Sequence, residues 1–171
     1  MSILPPLANE NFGPFNTYIN KVKAQDLLIG LKENQPIFEQ KILSLSEEML
    51  NFKYQPNKWT IKEVVGHITD TERIFQYRAL RFARKDKTPL PGFDEVHFGN
   101  ISNAGQKDIQ KLMAEFVAVR QSTILLFNGF ETDMLDEKGI ASNLEISARA
   151  IGFAILGHCI HHIEILNKRY L

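Results

Sequence analysis

The sequence predicts an all-α protein, a four-helix bundle with a long crossover between its second and third helices. Three observations support this prediction. Apolar residues recur at spacings of three and four along four long segments, which is the periodicity of one helix face. Clusters of Gly, Pro and Asn separate those segments, and no strand-like alternation or hairpin signal competes with them. The 171 residues are predicted to form a single domain, 1–171, with a sizeable core.

The first helix is predicted over 26–44, where the apolar residues follow a helical spacing. Asp26 is a suitable N-cap because its short carboxylate can accept a hydrogen bond from the first turn. Pro36 lies inside this segment and is expected to kink the helix, since proline removes one backbone hydrogen bond.

The second helix has the best-defined start. Thr60 and Glu63 have the spacing of a capping box, in which each side chain bonds the other residue's backbone N–H. Trp59 and Val64, on either side of this pair, have the spacing of a hydrophobic staple. The helix is therefore expected to begin at Thr60 and to run through the segment that ends near Lys85.

The third and fourth helices are predicted over 106–128 and 146–168, each from a broad apolar stripe. Between the second and third helices, the segment 88–105 is rich in Gly, Pro and Asn. It is too long for a tight turn and is expected to form a crossover or a lid. Four helices joined in this way are typical of a bundle.

Composition excludes several classes of protein. Twenty basic residues balance twenty acidic ones, so no net field favours nucleic acid or an anionic membrane. The N-terminal segment lacks the features of a signal peptide, and no apolar run reaches the roughly 18 residues of a membrane span. One cysteine excludes an intramolecular disulfide framework and fits a reducing compartment. We therefore expect a cytoplasmic protein that binds neither nucleic acid nor membrane.

Three of the five histidines lie in the stretch GHCIHHIEIL, residues 157–166. His158 and His162 are four residues apart, which puts them about 40° apart on one helix face. That face also carries apolar residues, so both imidazoles should point into the bundle. His161 lies about 60° to the other side of His158 and should sit at the edge. Alone, an H-x-x-x-H pair is a weak signal, and ordinary helix histidines are the better explanation of it.

His67, on the second helix, changes this interpretation. It shares an apolar face with Val64 and Ile74 and should also point into the core. Three inward histidines need polar partners, because burying each one without a hydrogen bond costs on the order of kcal/mol. A divalent ion would supply that partner, since neutral imidazole is its commonest nitrogen ligand. Three nitrogens leave a coordination position open, as in a catalytic zinc site.

The segments KWTIKEVVGHITDTE and GHCIHHIEILNKRYL make the chain resemble the DinB-like superfamily, the damage-inducible and YfiT-type family of metal-dependent enzymes. The resemblance covers nearly the full length, including a PGFDE loop between the second and third helices. It implies a bundle that is often dimeric and binds zinc, nickel or a similar ion. It also implies that the three metal ligands are His67, His158 and His162.

The three histidines and the resemblance leave three alternative functions. The first is a thiol-dependent S-transferase, in which the ion holds the thiolate of a low-molecular-weight cosubstrate that attacks a small electrophile. The second is a metal-dependent hydrolase that activates water at the open position. The third is a non-catalytic metal-binding or stress-response bundle. The first two share every ligand, so the sequence does not separate them. In each enzymatic case the partner is a small molecule.

Several other polar residues are weaker candidates for a functional role. His97 lies in the crossover and is a weak candidate for a general acid or a substrate contact, and Asp70 is a weak candidate for orienting a ligand imidazole. Cys159 takes a position where the family often has Glu, and its angle favours a packed thiol over a ligand. Three basic residues on one helix face favour a solvated surface over an anion site: Arg78, Arg81 and Lys85.

Overall fold

The computed structural model describes residues 2–7, 10 and 12–171. In this part of the chain, four long helices form a bundle: α2 (Leu27–Leu43), α4 (Ile61–Ala83), α6 (Ile109–Asn128) and α8 (Ala148–Arg169). The segments before and between them contain four short helices and a hairpin: α1 (Asn16–Ile19), α3 (Glu47–Leu50), α5 (Glu95–Ile101), α7 (Thr132–Asp136), β1 (Lys138–Ala141) and β2 (Leu144–Ser147). The predicted four-helix bundle is confirmed.

The predicted starts of the first two long helices are confirmed by their caps. The Asp26 side chain accepts a hydrogen bond from the backbone N–H of Ile29 at 2.9 Å. At the start of α4, the Thr60 hydroxyl accepts from the Glu63 backbone N–H, and the Glu63 carboxylate accepts from the Thr60 N–H. Both halves of the capping box are therefore formed. Helix α2 continues through Pro36, where the kink stays a prediction.

The prediction of no hairpin is wrong. Strands β1 and β2 pair antiparallel with Ala141 opposite Leu144, so only Ser142 and Asn143 form the turn. Both turn residues have positive φ, 52° and 64°, which is the backbone that a two-residue hairpin of the I′ type requires. The usual Asn-Gly signal is absent, and the hairpin takes two residues that were predicted to belong to the fourth helix. Helix α8 therefore begins at Ala148.

The helices are arranged so that α2 lies diagonally opposite α4, and α6 lies diagonally opposite α8. Helix α2 packs against α6 and α8, and α4 packs against the same two helices. The crossover between α4 and α6 contains α5 and a short 3₁₀ turn, both in contact with α4. Leu90 in the crossover forms a parallel bridge to Ala141 of the hairpin. Both halves of the long predicted connection therefore contact the rest of the structure.

A polar layer separates two apolar clusters of the core. Along α2, Asn34 lies between Leu31 of one cluster and Phe38 of the other. The other long helices place polar residues at corresponding positions between the two clusters: Glu72, Arg120, Thr123, His158. Buried polar groups need partners, since an unpaired one costs on the order of 1–3 kcal/mol. In this layer, specific hydrogen bonds and ion pairs between polar side chains replace apolar packing.

Helix α8 lies at the centre of this core. By length and mean hydropathy, 1.2, it could cross a membrane, but 67% of that apolar window is buried inside the bundle. A mostly buried helix of this kind is typical of the core of a bundle.

Candidate metal centre

Helices α4 and α8 pack against each other and bring three histidines to one point. The Nε2 atom of His158 lies 3.1 Å from Nε2 of His67 and 3.1 Å from Nε2 of His162. One nitrogen from each residue lies within 4.8 Å of the others. The spacing of four along α8 aligns two of the rings, and the packing of α4 supplies the third.

The three imidazoles are held in the neutral form. His67, His158 and His162 are only 8%, 5% and 9% exposed. Burial lowers the pKa of His67 to about 4, with a further effect of His161, and lowers the pKa of His162 to about 3. Burial and the neighbouring histidines place the pKa of His158 well below its usual value. At neutral pH each ring therefore keeps a lone pair for a partner.

The donor set fits a divalent ion. Three nitrogens bound tetrahedrally to zinc at about 2.0–2.1 Å would stand roughly 3.3 Å apart, close to the two distances of 3.1 Å. Three Nε2 atoms meeting in this way can form at most two hydrogen bonds among themselves. The Nδ1 atom of His162 is buried without a hydrogen-bond partner in the described chain, so this ring has no second group to fix its tautomer.

A cavity of about 640 Å³ opens onto the three histidines. Its walls carry aromatic rings from different segments, including Tyr18, Trp59 and Phe75. A cavity of this size suits a small molecule rather than a macromolecule. Its lining also includes other polar groups: Thr71, Arg78, Glu95, Ser142.

Comparison with known families identifies the fold. The family model of the DinB superfamily matches residues 31–166, a span that includes all three histidines and most or all of each long helix. The chain belongs to the DinB superfamily.

Two relatives by sequence are named "putative metal-dependent hydrolase". The "putative metal-dependent hydrolase" OB0413 of Oceanobacillus iheyensis is 24% identical over 148 residues, which is 84% of this chain and 84% of that protein. A second "putative metal-dependent hydrolase", of Geobacillus thermodenitrificans, is 24% identical over 108 residues, 60% of this chain and 61% of that protein.

A solved structure is similar in fold. YfiT of Bacillus subtilis, described as "a probable metal-dependent hydrolase with an unusual four-helix bundle topology", superposes with a TM-score of 0.68 at 15% identity. The match covers 95% of this chain and 91% of YfiT. The similarity shows that the two chains share the DinB bundle.

The crossover of the DinB bundle positions His67 through Trp59. The indole ring of Trp59 lies against the His67 ring, with centroids 4.7 Å apart, and its Nε1–H donates to Asn100 of α5 at 3.3 Å. Gly99 fits against the other side of the indole, where an added Cβ would lie 2.5 Å from the ring. Sequence reasoning used Trp59 only as part of a staple and missed this contact.

The glycine of the GH pair brings α1 to the site. A Cβ on Gly157 would lie 2.0 Å from the backbone oxygen of Tyr18, so only glycine allows this approach. The Tyr18 ring consequently meets His158 edge-on at 5.1 Å and His161 at 5.4 Å. Burial, and to a lesser extent Glu95, raises the pKa of Tyr18, which keeps its hydroxyl protonated. Tyr18 was not among the predicted site residues, because nothing in its local sequence marks it.

The other residues considered from the sequence are not among the three converging histidines. His97 is exposed on α5 and is not part of the cavity wall. Asp70 forms an ion pair with Arg73 at 3.1 Å on the outer face of α4. Cys159 is fully buried, and burial raises the pKa of its thiol to about 11, so the expected packed thiol is confirmed. His161 lies at the half-buried edge of α8, as predicted, and lines the cavity.

The sequence prediction is wrong for the environment of Arg78, and it did not identify a second buried arginine, Arg120. Arg78 was expected on a solvated face, but it is 3% exposed and lines the cavity, because the crossover and the hairpin fold over this part of α4. Arg120 is fully buried and forms a bidentate ion pair with Glu72. Its Nε and Nη2 each donate a hydrogen bond of 2.8 Å to the Glu72 carboxylate. No local signal marked that pair, because its members come from separate helices.

Proposed function

We propose that the chain is a metal-dependent enzyme in which His67, His158 and His162 bind a divalent ion, zinc or nickel. We further propose that it transfers a low-molecular-weight thiol to a small electrophile. The observation that carries the proposal is the convergence of three buried Nε2 atoms, two pairs of them 3.1 Å apart, at the floor of a cavity. Membership of the DinB superfamily and the names of its relatives support metal dependence.

The residues of the chain prepare the site for that ion. Burial keeps the three rings unprotonated, so no proton has to leave before they bind. The Trp59 ring restricts His67, and the close approach at Gly157 restricts Tyr18 next to His158. An ion with an open position supplies a Lewis acid that lowers the pKa of a thiol or a water molecule.

The surroundings of the histidines favour a thiol as the nucleophile. Among the described residues, no carboxylate lies within 4.0 Å of a nitrogen of the three rings, and the carboxylate in the cavity lining is that of Glu95, which is exposed. A metal-dependent hydrolase commonly uses a nearby carboxylate as general base for its water, whereas a thiol whose pKa has been lowered needs none. The protonated hydroxyl of Tyr18 is suited to donate a hydrogen bond to a leaving group or an electrophile.

The test is thiol consumption by the untagged, metal-loaded protein against a panel of electrophiles, with reduced glutathione, bacillithiol and mycothiol as alternative cosubstrates. We expect turnover with at least one thiol and its loss in His67→Ala and His158→Ala. The matched control is His161→Ala, which removes a histidine that lies outside the set of converging nitrogens. A fully metal-loaded protein that consumes no thiol would contradict the transferase proposal.

Hydrolysis is the second candidate, favoured by the names of both sequence relatives. It requires the same three ligands with water in place of the thiol. Ester and amide substrates assayed with and without added thiol separate the two reactions, since hydrolysis proceeds equally in both conditions. A protein that binds stoichiometric metal and is inactive in both assays would support the non-catalytic bundle.

A further inference from the structure

Arg78 is a buried cation without an anionic partner. It lies on α4 eleven residues after His67 and is 3% exposed. No carboxylate of the described chain lies within 4.0 Å of its guanidinium, although the other buried arginine, Arg120, is paired with Glu72. A buried charge normally has an opposite charge beside it, because burial removes the favourable interaction with water. The cavity therefore holds an uncompensated positive charge.

The guanidinium of Arg78 is fixed in place and keeps hydrogen-bond donors free. Its Nη2 donates to the carbonyl oxygen of Pro91 at 2.9 Å and to the Ser142 hydroxyl at 3.1 Å. The rings of Phe75 and Phe93 flank its Cζ atom at 5.7 Å and 5.9 Å. Nε and Nη1 have no hydrogen-bond partner in the described chain, and Arg78 lines the cavity. Two donor groups therefore remain available to a ligand.

The distance between Arg78 and the histidines sets the length of a ligand that could contact both. The Phe75 ring lies 6.5 Å from the His158 ring and 5.7 Å from Cζ of Arg78, so the guanidinium is at most about 12 Å from the His158 ring. The same cavity is lined by the histidines and by Arg78. A small molecule can reach both across the Phe75 ring.

We propose that Arg78 forms an oxyanion subsite, which binds the carboxylate or phosphate end of a small ligand whose other end reaches the three histidines. This inference rests on the proposed function and narrows it, because it requires the thiol or the electrophile to be an anionic small molecule. The forked guanidinium suits both oxyanions through paired hydrogen bonds. Phe75 and Phe93 would contact the apolar part of the ligand beside its charged end.

The experiment measures dissociation constants by calorimetry on the metal-loaded full chain. The probes are 6-mercaptohexanoic acid and 6-mercaptohexanol, which differ only in the charged end, together with hexanoate, hexanol and inorganic phosphate, which lack the thiol. We expect the mercapto acid to bind at least about tenfold more tightly than the mercapto alcohol, since a charge-assisted pair replaces a neutral contact. Phosphate that competes with hexanoate would show that the subsite accepts either oxyanion, and hexanoate unaffected by phosphate would restrict it to carboxylates.

Two variants separate the subsite from a structural role. Arg78→Gln keeps amide hydrogens for Pro91 and Ser142 but loses the charge, and we expect it to lose the preference for the acid while the alcohol binds unchanged. The matched control is Arg81→Gln, one turn along α4, where the arginine is paired with Asp86 outside the cavity. It should keep the preference.

The subsite and the proposed function fail in different ways. Equal binding of acid and alcohol to the wild-type protein, or an unchanged preference in Arg78→Gln, overturns the subsite even if both thiols bind. If neither thiol binds the metal-loaded protein while hexanoate still binds more tightly than hexanol, the thiol function fails and the subsite stands. The wild-type comparison decides the matter alone if Arg78→Gln does not fold.

Discussion

The Nε2 atoms of His67 and His158 lie 3.1 Å apart, although 91 residues separate them in the chain. The contact is made by packing α4 against α8, with the Trp59 ring on the outer side of His67. Two neutral imidazoles at this distance share one hydrogen bond at most, and a third ring shares the same nitrogen of His158. The arrangement leaves unsatisfied nitrogen lone pairs that a cation would bind.

Removing one of these rings should abolish stoichiometric metal binding. We expect purified, untagged His67→Ala to retain well under a tenth of the metal of the wild-type protein, because two nitrogens on one helix are a poor site for a divalent ion. Elemental analysis after gel filtration measures the content. His161→Ala is the control, and its metal content should equal that of the wild type. Equal metal in His67→Ala would show that the ion binds elsewhere.

The metal-free protein should lose stability as the pH falls below about 6.5. In the unfolded chain these histidines gain a proton near pH 6.5, whereas burial lowers the pKa of His67 to about 4 and that of His162 to about 3 in the folded chain. Between these values the unfolded state binds more protons, so the free energy of unfolding decreases as the pH decreases. We expect a loss of a few kcal/mol between pH 7 and pH 4.5.

Urea unfolding of the metal-free protein across this pH range measures the effect. The double variant His67→Gln/His162→Gln should show a flatter dependence, since it lacks two of the groups that must stay neutral. Equal stability of the wild type at pH 7 and pH 4.5 would mean that the rings are not held neutral by burial.

Local patterns were sufficient for the main helices and for the histidines. The caps at Asp26 and Thr60 are short-range features that the chain alone specifies. The inward direction of His158 and His162 follows from a spacing of four on one helix. Their convergence with His67 depended on the packing of two helices, which the family resemblance implied and the structure shows.

Features that depend on distant contacts were not predicted. The hairpin has a Ser142–Asn143 turn, without the glycine that normally marks the required positive φ. The burial of Arg78 depends on Pro91 and Ser142, which come from the crossover and the hairpin. From its position on α4 alone, Arg78 is expected on a solvated face. Periodicity identifies a helix face but does not show which other segment will cover it.

The buried ion pair between Glu72 and Arg120 should be essential for folding stability. Arg120 donates two hydrogen bonds to Glu72 and one to Asn34 at 3.1 Å, and Thr123 donates to Glu72 at 2.6 Å. Removing the carboxylate leaves the Arg120 charge buried and unpaired. We expect Glu72→Ala to lower the free energy of unfolding by about 3–5 kcal/mol.

Chemical denaturation of the metal-free protein measures this change. The control is Asp70→Ala on the same helix, which breaks the half-exposed pair with Arg73 and should cost less than about 1 kcal/mol. A Glu72→Ala variant as stable as the Asp70→Ala variant would show that Arg120 finds another partner or reaches solvent.

Adding a single methyl group at Gly157 should disrupt its close contact with Tyr18. Gly157→Ala would place a Cβ 2.0 Å from the Tyr18 backbone oxygen, so α1 must move away from α8. The displacement should cost about 1–3 kcal/mol, as overpacking of a tight core does, despite the better helix propensity of alanine. The control is Gly129→Ala, where the nearest atom would be 3.5 Å away, and its melting temperature should stay close to that of the wild type. Because α1 carries Tyr18 to the cavity, Gly157→Ala should also reduce turnover while the metal content, set by α4 and α8, stays unchanged. A variant with wild-type stability and wild-type turnover would show that the approach of α1 is not required at this site.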